Sequence, residues 1–209
     1  KVKKITNGNH MLTMNDLVGS DAVATWTDPS NPSDIISFSI DKPNKINRLT
    51  DVNKDIFYNV EFGEVEEITY KSVDEKYVQG WIVKPPNFDS NKKYPLVLRI
   101  HGGPHSMYHV GFNYNFQLHA AQDQVVLYTN PRGSTGYGYD FANAIQNAYP
   151  GNDYDDIMYG VDEVISRGYI DENRMYVYGG SGGGVLTSWI VGKTDRFAAA
   201  SVNYPVTNW

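Results

Sequence analysis

The run Gly179-Gly180-Ser181-Gly182-Gly183 constrains the fold of this chain more than any other stretch. An apolar segment, Met175–Tyr178, leads into it, and a segment carrying Val185, Leu186, Trp189 and Ile190 leads out. A strand that turns through glycines directly into a helix is the G-x-S-x-G arrangement, with serine at a strained tip. The glycines let sheet and helix approach closely. The helix N-terminus behind the serine aims backbone N–H groups and positive dipole at the same spot, where an oxyanion can form. A glycine-rich turn with an incidental serine also satisfies the bare motif, so the flanking strand and helix carry the argument.

A second loop meets this one in the expected order. Tyr94–Ile100 (YPLVLRI) is a nearly continuous apolar run, as in a strand covered on both faces. His101-Gly102-Gly103-Pro104 follows at once. A loop in that place supplies the other backbone donor to an oxyanion, and its glycines keep side chains out of the way.

The chain divides by texture. Residues 1–64 are polar and turn-rich, with strand-like runs at Ala22–Trp26 and Ile35–Ile40, a turn over Asp41–Lys45, and a further run at Ile46–Leu49. No useful helical period appears there, and a β-rich segment of this size needs neighbours to bury a core. Residues 65–209 read differently: a hairpin from Glu67–Tyr70 and Tyr77–Val83, then strands at Tyr94–Ile100, Val125–Thr129, Met175–Tyr178 and Phe197–Tyr204. Helices are expected over Phe112–Ala121, Tyr154–Arg167 and Gly183–Val191. In the second of these, Ile157, Val161, Val164 and Ile165 follow the 3.6-residue period, and Asp153, Asp155 and Asp156 lie in or near a first turn that favours negative charge. Alternating strands and helices of this kind predict an α/β fold of the α/β-hydrolase type, a mostly parallel sheet with helices on both faces.

Composition removes several classes. A net charge of −6 argues against a nucleic-acid partner, which needs a basic face. The absence of cysteine excludes disulfides, a thiol nucleophile and zinc–thiolate ligation. No apolar run is long enough for a transmembrane helix, so no membrane partner is expected. The first ten residues lack a signal-peptide pattern, but the sequence starts without Met, and the compartment stays open between cytoplasm and export.

The blocks YPLVLRIHGGPH, NPRGSTGYGYDF, VYGGSGGGVLTSWIVGKTDRFAAA and YPVTNW resemble the catalytic domain of the prolyl oligopeptidase family, nearest its acylaminoacyl-peptidase-like branch. The similarity runs from Glu66 to Trp209, and residues 1–64 resemble the end of that family's β-propeller and its link into the hydrolase domain. The resemblance implies a serine peptidase acting on short peptides or blocked N-terminal residues. It makes Ser181 the nucleophile and the backbone N–H groups of Gly182 and Gly103 the oxyanion donors. Arg132, within the signature loop Asn130–Gly138, is implied to be structural. No cofactor and no metal are implied.

In α/β-hydrolases the acid and the histidine follow the serine along the chain. Here Asp195 is the only acidic residue after Ser181 and no histidine follows it. A helix of about ten residues, about 15 Å long, separates Asp195 from the serine. The expectation is therefore an incomplete hydrolase domain whose acid and base lie beyond these residues, with an apolar edge that invites self-association or pairing with the remainder. An esterase of the same fold and a catalytically silent fragment are the alternatives.

Several patterns imitate other chemistry. His101, His105 and His109 have i, i+4 spacing, but Gly102-Gly103-Pro104 forbids the helix that would make it a metal site. Gly192-Lys193-Thr194 imitates the end of a P-loop without its earlier glycine. Glu66-Glu67 imitates the paired glutamates of dipeptidyl peptidases, yet opens a strand, so a structural or solvated role is expected.

Overall fold

The structure, a computed structural model, describes residues 2–208. The chain divides into two compact units. One comprises residues up to Phe62 together with His109–Tyr114; the other comprises Gly63–Tyr108 and residues from Asn115 onward.

In the first unit β1 (Met11–Val18), β2 (Asp21–Asp28), β3 (Asn31–Ser39) and β4 (Lys42–Arg48) form an antiparallel sheet in that order, followed by one helical turn, α1 (Lys54–Phe57). Ala22, Ala24, Ile36 and Phe38 alternate inward and form its small core. The turn expected over Asp41–Lys45 is shorter than that: β4 begins at Lys42 and includes Pro43. Proline is tolerated because β4 is an edge strand, where the missing donor faces no partner. β1 escapes sequence reading because most of its residues are exposed and its register shifts between Met14 and Asp16. Buried Asp34 ties down the chain after β4. Its carboxylate accepts from the Thr50 hydroxyl at 2.6 Å and the Val52 N–H at 3.1 Å, and pairs with Arg48 at 3.2 Å.

The second unit contains β5 (Val65–Lys71), β6 (Tyr77–Val83), β7 (Tyr94–Ile100), α2 (Tyr114–Ala120, from Asn115 on), β8 (Val125–Asn130), α3 (Tyr139–Asn143), α4 (Asn152–Ser166), β9 (Ile170–Gly180), α5 (Gly182–Lys193) and β10 (Ala199–Asn203). Its sheet runs β10-β9-β7-β8-β6-β5. The first four strands in that order are parallel, whereas β6 and β5 are antiparallel additions. The sheet is thus mixed, because β5 and β6 form the hairpin read from the sequence. Ile157, Val161 and Val164 of α4 and Leu186 and Ile190 of α5 cover Leu96, Leu98, Val125 and Leu127. On the opposite face Phe116 of α2 lies on Tyr128, with ring centroids 4.4 Å apart. Both faces of β8 are buried, which explains its unbroken apolar sequence.

The acidic first turn of α4 departs from the simple dipole reading. Asp156 is fully buried and receives the Arg132 backbone N–H at 2.8 Å, the guanidinium at 2.9 Å on each of its oxygens, and the Ser72 hydroxyl at 2.6 Å. Arg132 is itself only 6% exposed and also reaches Asp74 at 3.0 Å. This pair anchors the start of α4 to the loop after β8, the structural role expected of Arg132. Asp153 is also buried, and one of its oxygens meets no partner among the described residues. Burial pushes its carboxyl up to about 6, against the opposing pull of the backbone N–H groups at Gly151, Tyr154 and its own.

Removing one member of a buried ion pair strands the other charge. Asp156→Ala should therefore destabilise the second unit by about 3–5 kcal/mol, while Asp156→Leu combined with Arg132→Met should cost much less. Urea unfolding followed by Trp81 fluorescence checks both. Folding raises the Asp153 carboxyl from its ordinary 3.8 to about 6, so the folded state retains a proton that the unfolded chain releases. Its contribution is most favourable below about pH 4, is lost as pH rises to about 6, and is flat above, a change on the order of 1–3 kcal/mol. Asp153→Asn should gain stability relative to the wild type at pH 7 but not at pH 4, as read by urea midpoints at the two values.

Candidate active site

Ser181 stands at the junction of β9 and α5 with φ 55° and ψ −120°. That conformation is costly for a residue with a side chain, on the order of 1–3 kcal/mol, and persists only where the surroundings enforce it. They do so from two directions. The Ser181 N–H donates to the Asn203 carbonyl at the end of β10 at 3.1 Å, and its carbonyl accepts the Val185 N–H at 3.0 Å, opening the α5 ladder. The helix could not start there with a bulkier residue at its second position. A Cβ on Gly183 would lie 2.7 Å from the His101 carbonyl oxygen, so α5 packs its backbone directly on the end of β7.

The same close packing brings the two expected donors together. A Cβ on Gly182 would lie 3.0 Å from the Gly103 nitrogen, and one on Gly102 would lie 3.5 Å from the Ser181 Cβ. Gly103 has φ 122°, a conformation closed to residues with side chains, and a Cβ there would meet the His105 nitrogen at 2.6 Å. Ser181, Gly182 and Gly103 thus form one cluster of backbone at the N-terminus of a twelve-residue helix, with Gly103 exposed, Ser181 half-buried and Gly182 buried. Chemically, the cluster offers a hydroxyl beside two glycine N–H groups and a positive helix end, which suits stabilisation of a developing oxyanion.

The histidines of this unit are engaged elsewhere. His101 Nδ1 lies 2.7 Å from the Gly102 carbonyl and Nε2 lies 2.9 Å from the Ser134 hydroxyl. Burial lowers His101 below the usual histidine range, although its bond to Gly102 opposes this. His105 Nδ1 is 3.0 Å from the Gly133 carbonyl, and His119 bridges Gln124 at 2.7 Å and Tyr178 at 3.1 Å. The segment 101–113 is not helical, so the i, i+4 spacing of its histidines has no geometric meaning. Asp195 lies past the C-terminus of α5, a full helix length from Ser181. Lys193 closes the same helix and Thr194 caps it, far from any phosphate-cradling geometry. Glu66 pairs with Lys84 at 2.8 Å and Arg167 at 2.5 Å, and Glu67 accepts from Gln79 at 2.6 Å, so both glutamates are tied into the sheet.

Two contributors escaped sequence reading. Tyr149 donates its hydroxyl to the Gly182 carbonyl at 2.6 Å, bracing the first turn of α5. Ser134 is fully buried beneath the His101 ring. Tyr149 falls in a polar turn and Ser134 in a glycine-rich loop, and neither context marks a side chain as buried.

A family model described as the prolyl oligopeptidase family matches residues 110–209. The chain is 43% identical over 188 residues to the uncharacterized peptidase YuxL of Bacillus subtilis, covering 90% of this chain and 28% of that protein. It is 31% identical over 202 residues to dipeptidyl-peptidase 5 of Porphyromonas gingivalis, covering 95% of this chain and 29% of the relative. Among solved structures, an acylaminoacyl peptidase in complex with Z-Gly-Gly-Phe-chloromethyl ketone superposes with a TM-score of 0.89 and uncomplexed Pyrococcus horikoshii acylaminoacyl peptidase with 0.88, each at 28% identity over 99% of this chain and 33% of that one. The chain therefore spans 28–33% of the length of these relatives. Strand, strained serine, converging glycines and these likenesses agree, and over residues 110–209 the chain matches the prolyl oligopeptidase family.

Proposed function

We propose that this chain carries the nucleophile and oxyanion half of a serine peptidase site. The observation that carries the reading is the strained Ser181 backbone at the head of α5, with the Gly103 nitrogen 3.0 Å from where a Gly182 Cβ would sit. In the proposed reaction the Ser181 Oγ attacks a peptide carbonyl carbon and gives its proton to a base. The N–H groups of Gly182 and Gly103 stabilise the oxyanion, the C–N bond breaks as the amine takes up the proton, and water then hydrolyses the acyl-enzyme.

The substrates proposed are short peptides or peptides with blocked N-termini, a reading supported by relatives named dipeptidyl-peptidase and acylaminoacyl peptidase. The base and its orienting acid are proposed to be residues outside these 209, since no histidine follows Ser181 and those of the second unit already have partners. No metal or organic cofactor enters this scheme.

In the intact natural protein, Ser181→Ala should lower peptide hydrolysis by at least about 10⁴-fold. Gly103→Ala should cost about 10²–10³ in kcat with a smaller change in KM, because it displaces one oxyanion donor. Steady-state kinetics on peptide amides measures both. A fluorophosphonate probe should label Ser181 of the intact protein and leave the 209-residue chain alone unlabelled. Stoichiometric labelling of the isolated chain would show that a base within these residues serves the serine.

A further inference from the structure

The loop that carries Gly103 does not hold itself. It is stitched along its length to the segment that follows β8. The Asn130 side chain accepts the Tyr108 N–H at 2.7 Å and donates to the Tyr108 carbonyl at 3.0 Å. The Thr135 N–H donates to the Ser106 carbonyl at 2.9 Å, and at the near end Ser134 meets His101 at 2.9 Å. Asn130 and Ser134 are both fully buried. Of these links the last is nearest the reacting centre, and its protons can be counted.

A carbonyl only accepts, so the 2.7 Å contact between His101 Nδ1 and the Gly102 oxygen requires a proton on Nδ1. Burial disfavours a second ring proton, which leaves Nε2 with a bare lone pair. Ser134 Oγ lies 2.9 Å from that lone pair and 2.6 Å from the Pro131 carbonyl. The Pro131 carbonyl already accepts the Ser134 backbone N–H at 3.0 Å, so it stays satisfied without the hydroxyl. Nε2 has the hydroxyl as its hydrogen-bonding partner here. The Ser134 proton is therefore shared between the Pro131 carbonyl at 2.6 Å and Nε2 at 2.9 Å, the arrangement that leaves no buried group unpaired.

The consequence reaches the oxyanion donor through a rigid unit. The Gly102 carbonyl and the Gly103 N–H belong to one planar peptide and point in opposite directions. That peptide lies between two glycines, where rotation of the plane meets little steric resistance. Holding the carbonyl on His101 therefore fixes the direction of the Gly103 N–H. We propose that Ser134 is a positioning residue for the reaction: its hydroxyl holds the His101 ring at Nε2 in the Nδ1–H tautomer that the Gly102 carbonyl requires, and the ring in turn aims the Gly103 N–H at the oxyanion. This rests on the peptidase reading above.

The test has one arm that needs no activity. In the intact natural protein labelled with ¹⁵N-histidine, the imidazole resonances of His101, assigned by their loss in His101→Gln, should report the Nδ1–H tautomer. An Nε2–H tautomer overturns the proposal, whether or not any variant folds. In the second arm Ser134→Ala should keep its melting temperature within a few degrees, and the His101 Nε2 resonance should shift as it loses its hydrogen-bond donor. Its kcat should fall about tenfold to a hundredfold, with KM within about twofold, the range expected for a misaimed but present donor. Ser134→Thr, which restores a hydroxyl, should recover most of the loss. A folded Ser134→Ala with kcat within twofold of wild type overturns the proposal, as does a loss confined to KM. A wild type that hydrolyses no peptide overturns the peptidase reading, and with it the catalytic purpose of Ser134. The tautomer measurement distinguishes that failure from a wrong assignment of the His101–Ser134 bond.

Discussion

The rest of the second unit is arranged around the backbone of one residue. Ser181 is held at φ 55° and ψ −120°, where an L-residue does not rest unaided. Such a conformation survives because β9, β10 and α5 fix its N–H, its carbonyl and the helix that follows. The glycines around it serve the same end. Bare backbone at Gly182 and Gly183 lets α5 start against the end of β7, which is also where the Gly102–Gly103 loop departs. The strain that exposes the serine and the packing that gathers its neighbours are therefore one constraint.

The buried polar groups form a second layer of the same design. Arg132 and Asp156 lock the segment after β8 to the start of α4, and Asn130 and Ser134 lock it to the loop after β7. A segment without regular structure is thereby held from two sides, by α4 and by the loop after β7. Rigidity of this kind is what an oxyanion site requires, because donors that must reorient during reaction stabilise charge less well. Asp153 is an exception within this layer. It is buried at the foot of α4, where one oxygen accepts the Gly151 N–H and the other meets no partner among the described residues.

Much of the fold and the core of the site were legible in the sequence, for identifiable reasons. Strong local patterns survived: the glycine elbow, the apolar run before His101, the helical period of α4 and the β5–β6 hairpin. Their boundaries shifted by a few residues, as with β9, which begins at Ile170 and includes the polar stretch before Met175. What failed depended on partners distant in sequence. The turn at Asp41–Lys45 became part of β4 because an edge position forgives proline. The mostly parallel sheet expected has four parallel strands, and the β5–β6 hairpin adds the two antiparallel ones that make it mixed. Asp153 looked like a dipole-favoured acid, yet burial outweighed the dipole. Ser134 and Tyr149 left no sequence signal, since each gains its role from a residue 33 positions away.

The central claim is that Ser181, Gly182 and Gly103 act together on one carbonyl. It is tested most directly by a crystal structure of the intact natural protein with a peptide aldehyde bound. The account expects a covalent bond from Ser181 Oγ to the aldehyde carbon, with the resulting oxygen about 2.7–3.1 Å from both glycine nitrogens. An adduct on any other residue, or an oxygen turned away from both nitrogens, would contradict it.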